Sequence, residues 1–132
     1  MDIEEKINYW VDLAEYDLET AKAMLKTERY LYVGFMCHQV IEKILKGFYW
    51  KTMKEEPPYI HNLSVLSRKT ELYDMLSEEQ KDFLDYLEPL NIRGRYPRDK
   101  SEIIMFLTDE KSKNLITKTE DIYKWIHQLL LQ

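Results

Sequence analysis

The residues best suited to chemistry lie in one short stretch, Asn91-Ile92-Arg93-Gly94-Arg95-Tyr96-Pro97-Arg98. The chain has five arginines, and three fall between positions 93 and 98. Lys100 adds a fourth cation there, and Asp99 is the only acid. Arginine presents a planar, permanently charged fork that matches phosphate oxygens. Tyr96 offers a flat face for a base and a phenol donor. Gly94 permits positive φ, and Pro97 stiffens the turn. These are the parts of a site for a nucleotide or an RNA phosphate. The plainer alternative is a solvated loop whose arginines pair with acids on neighbouring helices.

A second polar group is Gln39, Glu42, Lys43 and Lys46, spaced as a band along one helix face. Glu42 and Lys46 form an i,i+4 pair of the favourable orientation. The band reads either as a solvated face with one weak ion pair, or as a place from which Lys46 leans toward the arginine loop and adds a phosphate contact. Asp17 sits at the edge of the first apolar stripe, placed to pair with a Lys or Arg across the helices and order the site. Of the three histidines, His61 follows Pro57-Pro58. It is either a loop or cap histidine bonded to backbone, or a proton carrier if the fold sets it beside Arg95. His38 is adjacent to Cys37, and neighbouring helix positions do not face together, so no metal pair is expected. His127 is expected at the surface.

The elements that must position these groups are helical. Ile3, Ile7, Trp10, Ala14, Leu18, Ala21 and Leu25 recur at threes and fours, which predicts a helix over 3–26. Val33, Cys37, Val40, Ile41, Ile44, Leu45 and Phe48 predict a second over 30–53. The three-residue link makes the two antiparallel. Pro57-Pro58 marks a connection, and 61–70 reads as a short helix with Leu63 and Leu66 inward. Ser77-Glu78-Glu79-Gln80 is a capping-box sequence opening a helix with Phe83, Leu84, Leu87 and Leu90, which Pro89 bends or closes. Residues 91–107 show turn chemistry and an apolar run without helical period. Thr108 or Asp109 caps a last helix striped by Leu115, Thr119, Ile122, Ile126 and Leu129. The expected fold is all-α: an antiparallel four-helix up-and-down bundle with an additional short helix, in one domain over 1–132.

Several patterns together resemble one family. They are Ala14-x-x-Asp17-Leu18-x-x-Ala21-x-x-Met24-Leu25, then Tyr30-x-x-x-x-Phe35-x-x-His38-Gln39-x-x-Glu42-Lys43-x-x-Lys46, then His61-Asn62-Leu63 and Arg95-Tyr96-Pro97. Along nearly its whole length the chain is similar to the HEPN family of small helical domains linked to nucleotide binding. The resemblance implies a dimerising five-helix bundle. It also implies a minimal nucleotidyltransferase as partner, in a toxin–antitoxin-like pair. HEPN ribonucleases carry an Arg followed by four to six residues and then His. Here Arg98 stands five residues after Arg93, and none of the histidines has that spacing. Arginine holds its proton and cannot shuttle it. The expectation is therefore a binding protein with no catalytic residue beyond the candidate His61. Arg93, Arg95, Tyr96, Arg98 and Lys46 would hold phosphate, and Asp17 and Glu42 would order the site. The alternatives are a metal-independent ribonuclease with a displaced base, and a purely structural dimeric module.

Composition narrows the rest. The chain has 132 residues, 45% apolar and 33% charged, with three Gly and four Pro, too few turn residues for an all-β fold. A net charge of −5 does not suit a protein that coats DNA through bulk charge, and no DNA is expected. The single Cys37 leaves no internal disulfide and no multi-cysteine zinc site; no metal or cofactor is expected. No apolar run spans a bilayer, and the acidic start Met1-Asp2-Ile3-Glu4-Glu5 has no signal-peptide pattern, so the expected location is cytoplasmic. Tyr9, Tyr16, Tyr32, Tyr49 and Trp50 exceed what one small core needs. With the 103–107 run they predict an exposed patch, most simply covered by a two-fold dimer.

Overall fold

The computed structural model describes residues 1–93 and 95–132, so Gly94, whose type permits positive φ, lies outside the described residues. The helices are α1 (Ile3–Lys26), α2 (Tyr30–Met53), α3 (Leu63–Arg68), α4 (Leu72–Met75), α5 (Glu78–Leu87), a 3-10 turn (Glu88–Leu90), α6 (Pro97–Phe106) and α7 (Asp109–Leu130). No strand occurs among the described residues.

Local chemistry sets most ends. Asp2 accepts from Glu5 N, and Glu4 and Glu5 lie in the first turn of α1, where the helix dipole favours acids. Glu28 takes φ 61 in the link to α2, and Lys54 closes α2 in the left-handed region with φ 57. Both arms of the capping box form: Ser77 N donates to Gln80 Oε1, and Gln80 N donates to Ser77 Oγ. Thr108 caps α7.

Helices α1, α2, α5 and α7 run alternately up and down. Gly47 lies beside Trp10 and Lys43 reaches Asp17, so α1 and α2 are antiparallel. Gly34 meets Leu90 while His38 faces Glu88, which fixes α5 antiparallel to α2. Lys118 sits over Phe83 and Lys111 over Phe106 beside Tyr86, so α7 runs against α5. The core joins the predicted stripes, with Cys37, Ile41, Ile44, Leu63, Leu66, Leu84, Leu87 and Ile126 nearly or fully closed off from solvent. No described helix is long and apolar enough to cross a membrane.

Two expectations need correction. The 91–107 segment is not irregular throughout: Pro97–Phe106 is helical. Pro97 occupies the first turn, where its missing N–H costs nothing, and Asp99 favours the same end. This helix buries no residue completely, so it leaves no stripe to read. The supposed surplus of aromatics is also smaller. Tyr49 and Trp50 are buried, while Tyr9, Tyr16 and Tyr32 stay exposed. Helix α4 had no signal in the sequence, being a single turn.

Candidate functional site

Helix α2 is the central rod. From Cys37 to Trp50 every residue but Lys43 is buried, and the burial includes the polar band. His38, Gln39, Glu42 and Lys46 are at most 7% exposed. The band is therefore not the solvated face that spacing alone allowed; α1, the 54–62 connection and the 88–93 segment close over it.

Glu42 joins the band together. Its Oε2 accepts from Lys46 Nζ at 3.0 Å, and its Oε1 lies 3.0 Å from His61 Nδ1. His38 Nδ1 is 3.9 Å from the same Oε1, and His38 Nε2 is 3.8 Å from Glu88 Oε1, too far for a hydrogen bond. His38 Nε2 is thus a buried polar atom without a partner. Glu88 accepts instead from Leu63 N at the start of α3. Gln39 Oε1 accepts from Arg93 at 3.3 Å, and Gln39 Nε2 lies 3.4 Å from His38 Nδ1. With the amide so oriented it donates to Nδ1, placing the His38 proton on Nε2 toward Glu88. Sequence reasoning singled out neither Glu88 nor the bridging place of Gln39. Glu88 lies 46 positions beyond Glu42 in a different element, and no local spacing links them.

The other expected site residues divide into two groups. Asp17 does pair across the bundle, accepting from Lys43. Lys46 faces Glu42 and the Trp10 ring at 5.4 Å. It lies two turns, about 10 Å, along α2 from the Gln39 that Arg93 meets, so it does not lean into the arginine loop. His61 is bonded to a carboxylate rather than to backbone, with Tyr59 edge-on to its ring at 4.8 Å; Asn62 is the α3 cap. No hydrogen bond joins His61 to Arg95 among the described residues.

The three guanidinium groups do not converge on one point. Arg93 turns inward to Gln39 and the Phe35 ring. Arg95 folds back on its own loop, Nε to Asn91 O at 3.1 Å and an NH2 group to Glu88 O at 3.3 Å. Arg98 is exposed and sits 3.7 Å from Glu102. Tyr96 is 77% exposed at the start of α6. Among the described residues no carboxylate lies within 4.0 Å of Arg93 or Arg95, which leaves both charges uncompensated at close range.

Arg95 edges a hollow of about 380 Å³ between the end of α5 and α6. Its walls are Tyr86, Pro89, Leu90, Ile103 and Phe106, with Asp99 and Glu102 at the rim. Burial pushes the Tyr86 phenol above its ordinary value. A larger hollow of about 570 Å³ opens between α5 and α7. Among the described residues no group of three or more His, Cys, Asp or Glu is gathered to hold a metal.

The HEPN domain family model matches residues 7–129. The chain belongs to the HEPN family. Among solved structures, this HEPN chain is similar to TT1696 from Thermus thermophilus (TM-score 0.78, 17% identity, covering 93% of this chain and 97% of that one). It is also similar to ST0689, an archaeal HEPN homologue (TM-score 0.66, 21% identity, 95% and 98% covered). At those identities the likeness is one of fold. No curated protein matches the chain significantly. The HEPN bundle thus sets two features on α2 and its neighbours: a buried ionic network around Glu42, and a hollow with an uncompensated arginine at its edge.

Proposed function

We propose that this HEPN protein binds a nucleotide or an RNA phosphate at the Arg95 hollow, and that it acts as the partner of a minimal nucleotidyltransferase in a toxin–antitoxin-like pair. The observation that carries the reading is Arg95 itself. Its guanidinium is held by backbone carbonyls alone, beside a hollow with aromatic and aliphatic walls. A cavity of that size is in the range that holds a small ligand, roughly 300–1,000 Å³. A base fits against Tyr86, Leu90, Ile103 and Phe106. Phosphate fits the arginine fork. Asp99 and Glu102 are acceptors for ribose hydroxyls, and Arg98 lies 3.7 Å from Glu102. Arg93, Tyr96 and Lys46 take lesser parts here: Arg93 adds positive potential from the other side of the loop, Tyr96 is free to stack, and Lys46 keeps Glu42 in place.

The partner and a homodimer are supported by exposed apolar surface. Ile104, Met105 and Phe106 on α6 are 53%, 85% and 44% exposed, which is costly to leave in water. Isothermal titration with ATP and with a short RNA tests the site. Arg95→Ala lowers affinity by at least tenfold, about 1.4 kcal/mol, with an unchanged Tm. Unaltered affinity removes Arg95 from the site.

A second reading rests on His61. Its contact with the buried Glu42 through Nδ1 orients the ring and leaves the other nitrogen to accept a proton, the arrangement that supports a general base. In that reading the protein cuts RNA without metal, the outer nitrogen of His61 taking the 2′-OH proton. Labelled RNA incubated with EDTA decides: no cutting, or cutting that survives His61→Ala, rejects it.

A further inference from the structure

A groove of about 570 Å³ opens between α5 and α7, apart from the Glu42 network and the Arg95 hollow. Its floor is Phe83, Leu115 and Ile122, with Tyr86 on one wall. Phe106 continues the aromatic wall past Tyr86, the two rings 6.2 Å apart.

The charges along this groove are sorted by position. Because α5 and α7 are antiparallel, Glu79 and Asp82 from the start of α5 share one end with Asp121 from the far part of α7. Lys118, over Phe83, and Lys111, over Phe106, mark the middle and the other end. None of these five charges is paired with an opposite charge within 4.0 Å among the described residues. The contrast on the same helix is direct. Lys113 and Lys124, which do not line the groove, pair with Asp109 and Glu120 four residues away. A groove with an acidic end, a basic end and an apolar floor is left with both charges unanswered.

We infer that this groove docks an amphipathic helix of a partner protein, lying parallel to α5. That direction sets the positive end of the incoming helix dipole at Glu79, Asp82 and Asp121, and the negative end at Lys111, with Lys118 between them. The lining from Lys111 to Ile122 runs roughly 16 Å, enough for about three turns. The occupant carries bulky apolar residues at i, i+3 or i+4, and i+7. It carries Lys or Arg in its first turn and Asp or Glu in its last. An anion such as a nucleic-acid strand is disfavoured here by the three carboxylates. The inference does not rest on nucleotide binding at Arg95.

The test is selection from a phage-displayed library of helical peptides on the full chain, followed by fluorescence anisotropy of the selected peptides. The expected winners have a basic first turn and an acidic last turn. Lys111→Glu with Lys118→Glu, both at exposed positions, weakens them at least tenfold while circular dichroism and Tm stay unchanged. A selection on that variant enriches peptides whose last turn is basic. Winners without charge order, or winners indifferent to the two lysines, overturn the inference. So does an absence of winners, or an oligo(U) strand that binds the groove in a Lys111- and Lys118-dependent way.

Discussion

Glu42 and Lys46 have 5% and 9% of their side chains exposed, so their pairing is a buried one. Breaking such a pair from one side leaves a charge in a poorly solvated place, at a cost of about 3–5 kcal/mol. Glu42→Gln is expected to lower urea stability by an amount of that order, whereas Glu42→Leu with Lys46→Met recovers most of the loss; a single mutant as stable as the parent contradicts the burial of the pair. Cys37 is the opposite case, a polar group kept neutral. Burial pushes its thiol up to about 12, and the thiolate is the reactive form. Iodoacetamide is expected to leave it unmodified at pH 8 in the native protein and to alkylate it in guanidinium. At this scale the sequence allowed part of the result. Asp17 was readable as a cross-bundle partner from its place at the edge of the α1 stripe. The burial of Gln39, Glu42 and Lys46 was not, because what covers them comes from α1 and from the segments after residue 53. Spacing within α2 says which residues share a face, and says nothing of what later folds over that face.

The helices owe their ends to local chemistry, and local chemistry is what a sequence displays. The α5 start follows from Ser77 and Gln80 alone, and Ser77→Ala is expected to cost about 1 kcal/mol by thermal unfolding. The two glycines of α2 behave differently. A Cβ at Gly47 meets Trp10 Cβ at 3.5 Å, an ordinary contact, whereas one at Gly34 meets Leu107 Cδ1 at 3.1 Å. Gly47→Ala is expected to stabilise by about 0.5–1 kcal/mol through helix propensity. Gly34→Ala gains less, since Leu107 must shift. The long amphipathic helices were legible throughout because each buries a continuous stripe. Helix α6 was not, since Ile103 is only partly covered and Ile104, Met105 and Phe106 face outward; an apolar run that never turns a single face inward has no period to detect. Its one usable sign was Pro97 followed by Asp99.

Over the whole molecule, two buried acids link stability to pH. Cys37 and Tyr123 are both pushed up to about 12, Tyr123 by burial first and then by Glu15 and Asp12. Unfolding returns them to ordinary values near 9 and 10, so between those values and 12 the folded state holds more protons than the unfolded one. The slope of unfolding free energy against pH is then negative. The contribution is fully present below about pH 9 and is lost as pH rises toward 12. Tm measured across that window is expected to fall, and less steeply in Tyr123→Phe. The bundle also distributes its stability unevenly. Helix α2 is enclosed on nearly every side, while α6 rests on its neighbours with no residue fully covered. Amide hydrogens of α6 should therefore exchange with deuterium through local opening, long before those of α2, which await global unfolding. Since Ile103 and Phe106 form one wall of the Arg95 hollow, a guest seated there would be seen first as slowed exchange in residues 97–106.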